Sequence, residues 1–145
     1  MMQTLKNSQI MDNEIKELMI PEEKVAHVQL NNPLDHALLV LIKSGYTAIP
    51  VLDKDYKVCG QISKAQILDS ILGIERIEME RLHEIKVKDV MSEKIPRMNK
   101  DETFGKALTL SINHPFVCIE DDMGSFIGIL TRRSILALIN RYLRK

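Results

Sequence analysis

Apolar positions along this chain follow two periods. Leu34, Ala37, Leu38, Leu41 and Ile42 recur at i, i+3, i+4, i+7 and i+8, which predicts one buried stripe of an amphipathic helix. Asn32 is expected to cap that helix, Pro33 to take its first position and Gly45 to end it. Phe104, Ala107, Leu108 and Ile112 make a second stripe, with Asp101 as the expected cap and Pro115 beyond the end. Short β-branched runs follow each helix, at 48–52 and 58–62, then at 116–119 and 126–130. Polar turns divide each pair: Asp53-Lys54-Asp55-Tyr56-Lys57 in the first, Glu120 through Ser125 in the second. Shorter extended pieces are expected at 25–28 and 95–98, and a further helix begins at Ser63 and again at Thr131.

This order is a repeat. Residues 46–68 align with 114–136 without a gap, at an offset of 68. Gly60 falls on Gly128, Ile62 on Leu130, Ser63 on Thr131, Lys64 on Arg132 and Ile67 on Ile135. Upstream the offset is 70 (Ala37 on Ala107), so the second copy is two residues shorter near Gly45. Each copy reads β-α-β-β-α, an α/β chain of the α+β kind. One copy is too small to bury a core alone, and two together are expected to form a pseudo-twofold pair. The expected organisation is an N-terminal segment 1–15, a first motif 16–72, a connecting helix or linker 73–88, and a second motif 89–145. The connecting stretch is charged, and Glu75, Arg76, Glu78, Glu80 and Arg81 are spaced for i,i+3 and i,i+4 pairs. It reads as a solvated helix or as one that binds a partner.

Composition narrows the function. Twenty Lys+Arg balance twenty Asp+Glu, and aromatics make up 4% of the chain. No global positive field gathers nucleic acid or anionic lipid, and no aromatic platform exists for stacked bases. The longest apolar run, 37–42, is far short of a membrane span, and the first twenty residues lack a signal-peptide core. A cytoplasmic protein without nucleic-acid or membrane partners is expected. Cys59 and Cys118 form no CxxC pair and read as buried thiols. The four histidines form no HExxH motif, and there is no P-loop, GxGxxG or nucleophile elbow. Glu120-Asp121-Asp122 reads as a turn rather than a calcium loop. The sequence predicts no enzyme and no cofactor.

The informative element is Gly60-Gln-Ile-Ser63-Lys-Ala-Gln66 with its twin Gly128-Ile-Leu-Thr131-Arg-Arg-Ser134. Each is a strand running into a helix N-cap, and Ser63 with Gln66 has the spacing of a capping box. A helix N-terminus also suits an anion. Arg132 and Arg133 oppose the helix dipole there, which suggests an anionic ligand nearby; two solvated arginines are the alternative.

The duplicated unit and its two G-h-[ST] endings resemble a CBS-domain pair, or Bateman module, over about residues 16–145. More narrowly, LMIPEEKVAHVQLNNPLDHALLVLIKSGYTAIPVLD, LGIERIEMERL, DVMSEKIPR and GILTRRSIL are similar to the cyclic di-AMP-binding CBS proteins of Firmicutes. The resemblance implies one nucleotide cleft formed by Lys24, Ala26, Val28, Tyr46, Thr47, Pro50, Thr131, Arg132 and Arg133. Ala26 would leave room for an adenine, Tyr46 would stack or use its hydroxyl, Thr131 would bond a phosphate or ribose oxygen, and the arginines would grip phosphate oxygens bidentately. A weaker second cleft would use Ser63, Lys64, Ile95, Pro96 and Phe116. AMP- and ATP-binding CBS motifs often carry an Asp for the ribose diol. Gln66 and Ser134 stand there instead, which fits a 3′,5′-cyclic dinucleotide with no free 3′ hydroxyl and speaks against an AMP/ATP-sensing module, the alternative reading. The resemblance further implies a parallel homodimer that does no catalysis. Its nucleotide-free form would stimulate the (p)ppGpp synthetase/hydrolase of the stringent response, with pyruvate carboxylase as a second partner of some members. Cyclic di-AMP would block the contact.

Overall fold

The computed structural model describes residues 11–144. The first ten residues of the expected N-terminal segment, and Lys145, lie outside the described residues. The described chain is helical over 11–17 (α1) and continues through β1 (Ile20–Pro21), β2 (Val28–Gln29), α2 (Leu34–Ser44), β3 (Ala48–Leu52), β4 (Val58–Ser63) and α3 (Lys64–Ser70). After two 3₁₀ turns come β5 (Arg97–Asn99), α4 (Phe104–Ser111), β6 (Phe116–Glu120), β7 (Phe126–Thr131) and α5 (Arg132–Leu143). The expected β-α-β-β-α order is therefore present twice.

Two compact units result, and they cut across the repeat as read from the sequence. One spans Ala26–Ile95; the other joins 11–25 to 96–144. In the first, β2 lies parallel to β3, and β3 antiparallel to β4. In the second, the order is β1-β7-β6-β5, with only β5 and β6 parallel. The leading segment of each motif thus pairs with the last strand of the other copy: Ile20 opposite Ile129, and Ser92 opposite Gln61. Glycine makes both pairings possible. A Cβ on Gly128 would meet the Ile20 carbonyl oxygen at 2.3 Å, and one on Gly60 the Ser92 carbonyl oxygen at 2.2 Å.

Each unit has its own core. Leu34, Ala37 and Leu41 of α2 and Ile67 of α3 pack on Val28, Ile49, Val51 and Ile62. In the other unit Phe104, Ala107, Ile135 and Leu138 join Ile15 of α1 over Met98, Val117, Ile119 and Leu130. Glu14 ties α1 to α5, accepting from the Tyr142 hydroxyl at 2.7 Å and pairing with Arg141 at 3.2 Å.

Several local expectations are corrected. Asn32 does not cap α2; its Oδ1 accepts from the Gln29 N–H at 2.8 Å, and Pro33 is the N-cap residue without a side-chain bond. Thr103, not Asp101, caps α4 by accepting from the Lys106 N–H. Ile42 and Ile112, expected in the stripes, are exposed. Eight residues at 3.6 per turn leave each about 80° from the direction of the first stripe residue, at the edge of the buried face. The connecting helix is not formed: between α3 and β5 only Met79–Arg81 and Val87–Asp89 make 3₁₀ turns. There the Gly73 N–H bonds the Arg76 carbonyl and the Glu78 N–H the Ile71 carbonyl, which folds the chain back before α-helical bonds can propagate. Cys118 is buried as expected, but Cys59 is only half-buried. Gly45 does end α2 in the left-handed conformation, and Ser63 with Gln66 does form a capping box.

Candidate functional site

The two strand-to-helix endings share one construction. In one unit the N–H of Lys64, first residue of α3, donates to the Thr47 carbonyl at 3.1 Å. In the other the N–H of Arg132, first residue of α5, donates to the Pro115 carbonyl at 2.9 Å. The entry to each middle strand is therefore fastened to the helix start two strands later in the fold. This draws Tyr46, Thr47 and Ala48 toward Ser63 and Lys64, and His114, Pro115 and Phe116 toward Thr131 and Arg132.

The capping hydroxyls are more committed than their sequence positions suggest. Ser63 Oγ accepts from the Gln66 N–H at 3.1 Å, while Gln66 Oε1 accepts from the Ser63 N–H at 2.9 Å. Thr131 Oγ1 accepts from the Ser134 N–H at 3.1 Å and donates its proton to Ser134 Oγ at 2.9 Å. The hydroxyl proton left for a ligand at this turn is accordingly that of Ser134, a donor the sequence reading passed over. A Thr followed three residues later by Ser was the signal for it.

The two arginines differ. Arg132 is half-buried, and its Nε donates to the carbonyl oxygen of Ser111, the last residue of α4, at 2.8 Å. It sits on a helix C-terminus, where a cation is favoured, so the apparent conflict with its own helix dipole is offset by the neighbouring one. Arg133 is exposed, and its guanidinium has no hydrogen bond or ion pair among the described residues. It is the cation at this turn that remains open to an anion.

The other expected residues divide similarly. Within Ala26–Ile95, Ala26 and Tyr46 are half-buried against the core, and Thr47 is exposed. Val28 has its side chain in the core at 2% exposure, so only its backbone is open to a ligand. Pro50 is buried in β3. Lys24 belongs to the other unit, where it ends a 3₁₀ turn and is exposed. Of the second set, Ser63 and Lys64 are half-buried where β4 runs into α3, whereas Pro96 is buried beside β6 and Phe116 at its first position. Ile95 is half-buried. Tyr46, Thr47 and Pro50 lie in one unit and Thr131, Arg132 and Arg133 in the other. Asp121, from the acidic turn, accepts from the Met123 and Ser125 N–H groups at 2.9 Å each and organises the hairpin. Its counterpart Asp53 does the same for Asp55 and Lys57.

Among the described residues, neither helix start pairs a nucleophile with a base. The α5 turn by itself offers hydroxyls and a guanidinium without a partner among the described residues, groups that suit a phosphate, while the Ala26–Ile95 unit offers an aromatic ring and its own hydroxyl turn. Among the described residues no helix is long and apolar enough to cross a membrane.

Comparison with known proteins gives the family. The CBS domain profile matches residues 15–73 and 87–141. Cyclic di-AMP receptor B of Bacillus subtilis is 46% identical over 141 residues, covering 97% of this chain and 96% of its own. A crystal structure of a CBS domain-containing protein of unknown function from Bacillus anthracis is 60% identical, with a TM-score of 0.82, over 88% of this chain and 92% of that one. The Listeria monocytogenes CbpB protein in complex with c-di-AMP is 51% identical, with a TM-score of 0.83, over 91% of this chain and 98% of that one.

Proposed function

Because the chain belongs to the CBS-domain family, with the domain present twice, we propose that it is a non-catalytic receptor for cyclic di-AMP. The observation that carries this reading is the near-full-length similarity to a protein named as such a receptor. The chemistry of the α5 turn supports it. Arg133 offers an unpaired guanidinium to a phosphodiester, and Ser134 a hydroxyl proton. Lys24, Ala26, Tyr46, Thr47 and the backbone of Val28 are proposed to line the adenine and ribose, with Pro50 shaping the strand beneath. Arg132 contributes charge through the part of its guanidinium that does not hold Ser111.

The residue types at the two helix starts disfavour AMP and ATP. Gln66, held in its capping box, and Ser134 stand where AMP- and ATP-binding CBS motifs often carry an Asp, and neither side chain is a carboxylate that could hold a ribose diol. The set around Ser63, Lys64, Pro96 and Phe116 is the weaker one, since a single lysine replaces the arginine pair. Calorimetric titration with cyclic di-AMP, against AMP, ATP and cyclic di-GMP, tests the assignment. Tight and selective binding of cyclic di-AMP is the expected result. A preference for AMP or ATP would replace the receptor reading with that of an energy-sensing CBS module.

The output follows the resemblance. The nucleotide-free protein, acting in the cytoplasm as a parallel homodimer, binds and stimulates a (p)ppGpp synthetase/hydrolase, with pyruvate carboxylase as a second partner. Cyclic di-AMP blocks the contact. By linkage the protein partner must weaken nucleotide affinity by the same factor. Titrating nucleotide in the presence and absence of the purified synthetase tests this, and equal affinities would sink it.

A further inference from the structure

Between α3 and β5 the chain forms a small fixed knuckle. The Gly73 N–H donates to the Arg76 carbonyl at 2.8 Å, the Glu78 N–H donates to the Ile71 carbonyl at 2.7 Å, and Leu72 faces Ile77 across an antiparallel bridge. Ile71 and Leu82 anchor its two ends in the core. The chain returns close on itself here, since a Cβ on Gly73 would meet the Arg76 carbonyl oxygen at 3.0 Å. On this rigid base stand four apolar side chains that the fold does not use. Ile74, at the tip, is exposed in full, and Leu72, Ile77 and Met79 are about half exposed (57%, 47% and 52%). Isolated exposed apolar residues are ordinary, but four within eight residues on a preformed turn make a patch of the kind that binds.

The charge around the patch says what it fits. Residues 73–84 hold four carboxylates against two arginines. Arg76 pairs with Glu80, and Arg81 with Glu78, so both cations are neutralised within the knuckle. Glu75, within the knuckle, is exposed without an ion pair among the described residues, and Glu84 beyond it has only His83 at 3.8 Å, so the stretch stays net negative. A second copy meeting this patch about a twofold axis would set the acidic rim against itself, a like-charge contact. A different protein with an apolar pocket edged by lysine or arginine is complementary.

We propose that the Leu72–Met79 knuckle is the element that docks the protein partner, its Ile74 side chain entering an apolar pocket with a basic rim. The proposal rests on the partner reading above. The test compares the full chain with its I74D and E75K variants for binding to the purified (p)ppGpp synthetase/hydrolase of the same organism, without nucleotide, at two salt concentrations. We expect I74D to weaken that binding at least tenfold. E75K should weaken it several-fold and flatten its salt dependence. Cyclic di-AMP affinity, melting temperature and sedimentation should match the wild type in both variants, because neither residue touches the core or the nucleotide turns. Synthetase binding by I74D at the wild-type level would overturn the knuckle as the contact and leave the partner reading intact. A change of oligomeric state in I74D would overturn it in favour of a self-contact. Failure of the wild-type protein to bind the synthetase would remove the partner reading, and this proposal with it.

Discussion

Arg132 Nε donates to the Ser111 carbonyl at 2.8 Å, and the equivalent carbonyl in the first copy, that of Leu41, is taken by the Gly45 N–H at 3.0 Å. The second copy is two residues shorter at this point and has no such glycine. A guanidinium from the next helix closes α4 in its place. One arginine of the pair is therefore partly structural, and its neighbour has no partner among the described residues.

Arg133→Met should lower cyclic di-AMP affinity about tenfold to a hundredfold, the loss of a charge-assisted bond of about 1.5–3 kcal/mol, with the melting temperature unchanged. Arg132→Met should lower affinity less and also cost about 1–2 kcal/mol of stability, because it leaves the end of α4 without its cation and donor. Calorimetry and urea denaturation on the two variants separate the effects. Equal stability in both would refute the division.

Tyr46→Ala should weaken nucleotide binding by about 1–3 kcal/mol if its ring stacks on an adenine. Tyr46→Phe should retain most of the affinity. A loss in Phe as large as in Ala would point instead to the hydroxyl as the group recognised, which competition titration would reveal.

Glycine substitutions should separate by position. Gly60→Ala and Gly128→Ala each force a methyl against a paired backbone carbonyl, so a loss of about 1–3 kcal/mol or more is expected. Gly105→Ala lies within α4, and its Cβ would come no nearer than 3.7 Å to Thr103 Oγ1. It should stabilise by about 0.5–1 kcal/mol. Chemical denaturation of the three variants checks the contrast.

The two thiols should differ in reactivity. Burial raises the Cys118 thiol pKa far above its ordinary value and keeps reagent out, whereas Cys59 is partly exposed. Titration with a thiol reagent should modify Cys59 alone in the folded protein and both cysteines in denaturant. Rapid modification of both under native conditions would contradict the burial of β6.

Glu80 should titrate at about 2, held down chiefly by its hydrogen bond to Arg76. A carboxyl lowered in the folded state keeps its pair above its ordinary pKa and loses it as pH falls through the lowered one. The knuckle should thus keep this pair throughout the neutral range and release it only in strong acid. NMR titration of the Glu80 carboxyl should show the low midpoint, with Arg76→Ala or added salt returning it toward 4.5.

The sequence by itself determined the duplicated β-α-β-β-α order, because both periods and the 46–68 and 114–136 alignment are local patterns written along the chain. It also located the hydroxyl caps of α3 and α5, though not the Thr103 cap of α4, since Ser63-x-x-Gln66 and Thr131-x-x-Ser134 need only neighbours three residues away. What it could not determine were contacts between distant residues. Whether Asn32 turned toward α2 or toward Gln29, whether Ile42 faced the core, and whether 73–82 propagated as a helix all depended on what packed nearby. The roles of Arg132 and Arg133 are alike in sequence and separate only because α4 ends beside one of them. The exchange of leading segments, Ile20 onto β7 and Ser92 onto β4, is likewise a tertiary decision. An edge strand must find backbone partners, and the glycines that admit them show their purpose only when the opposing carbonyls are in place.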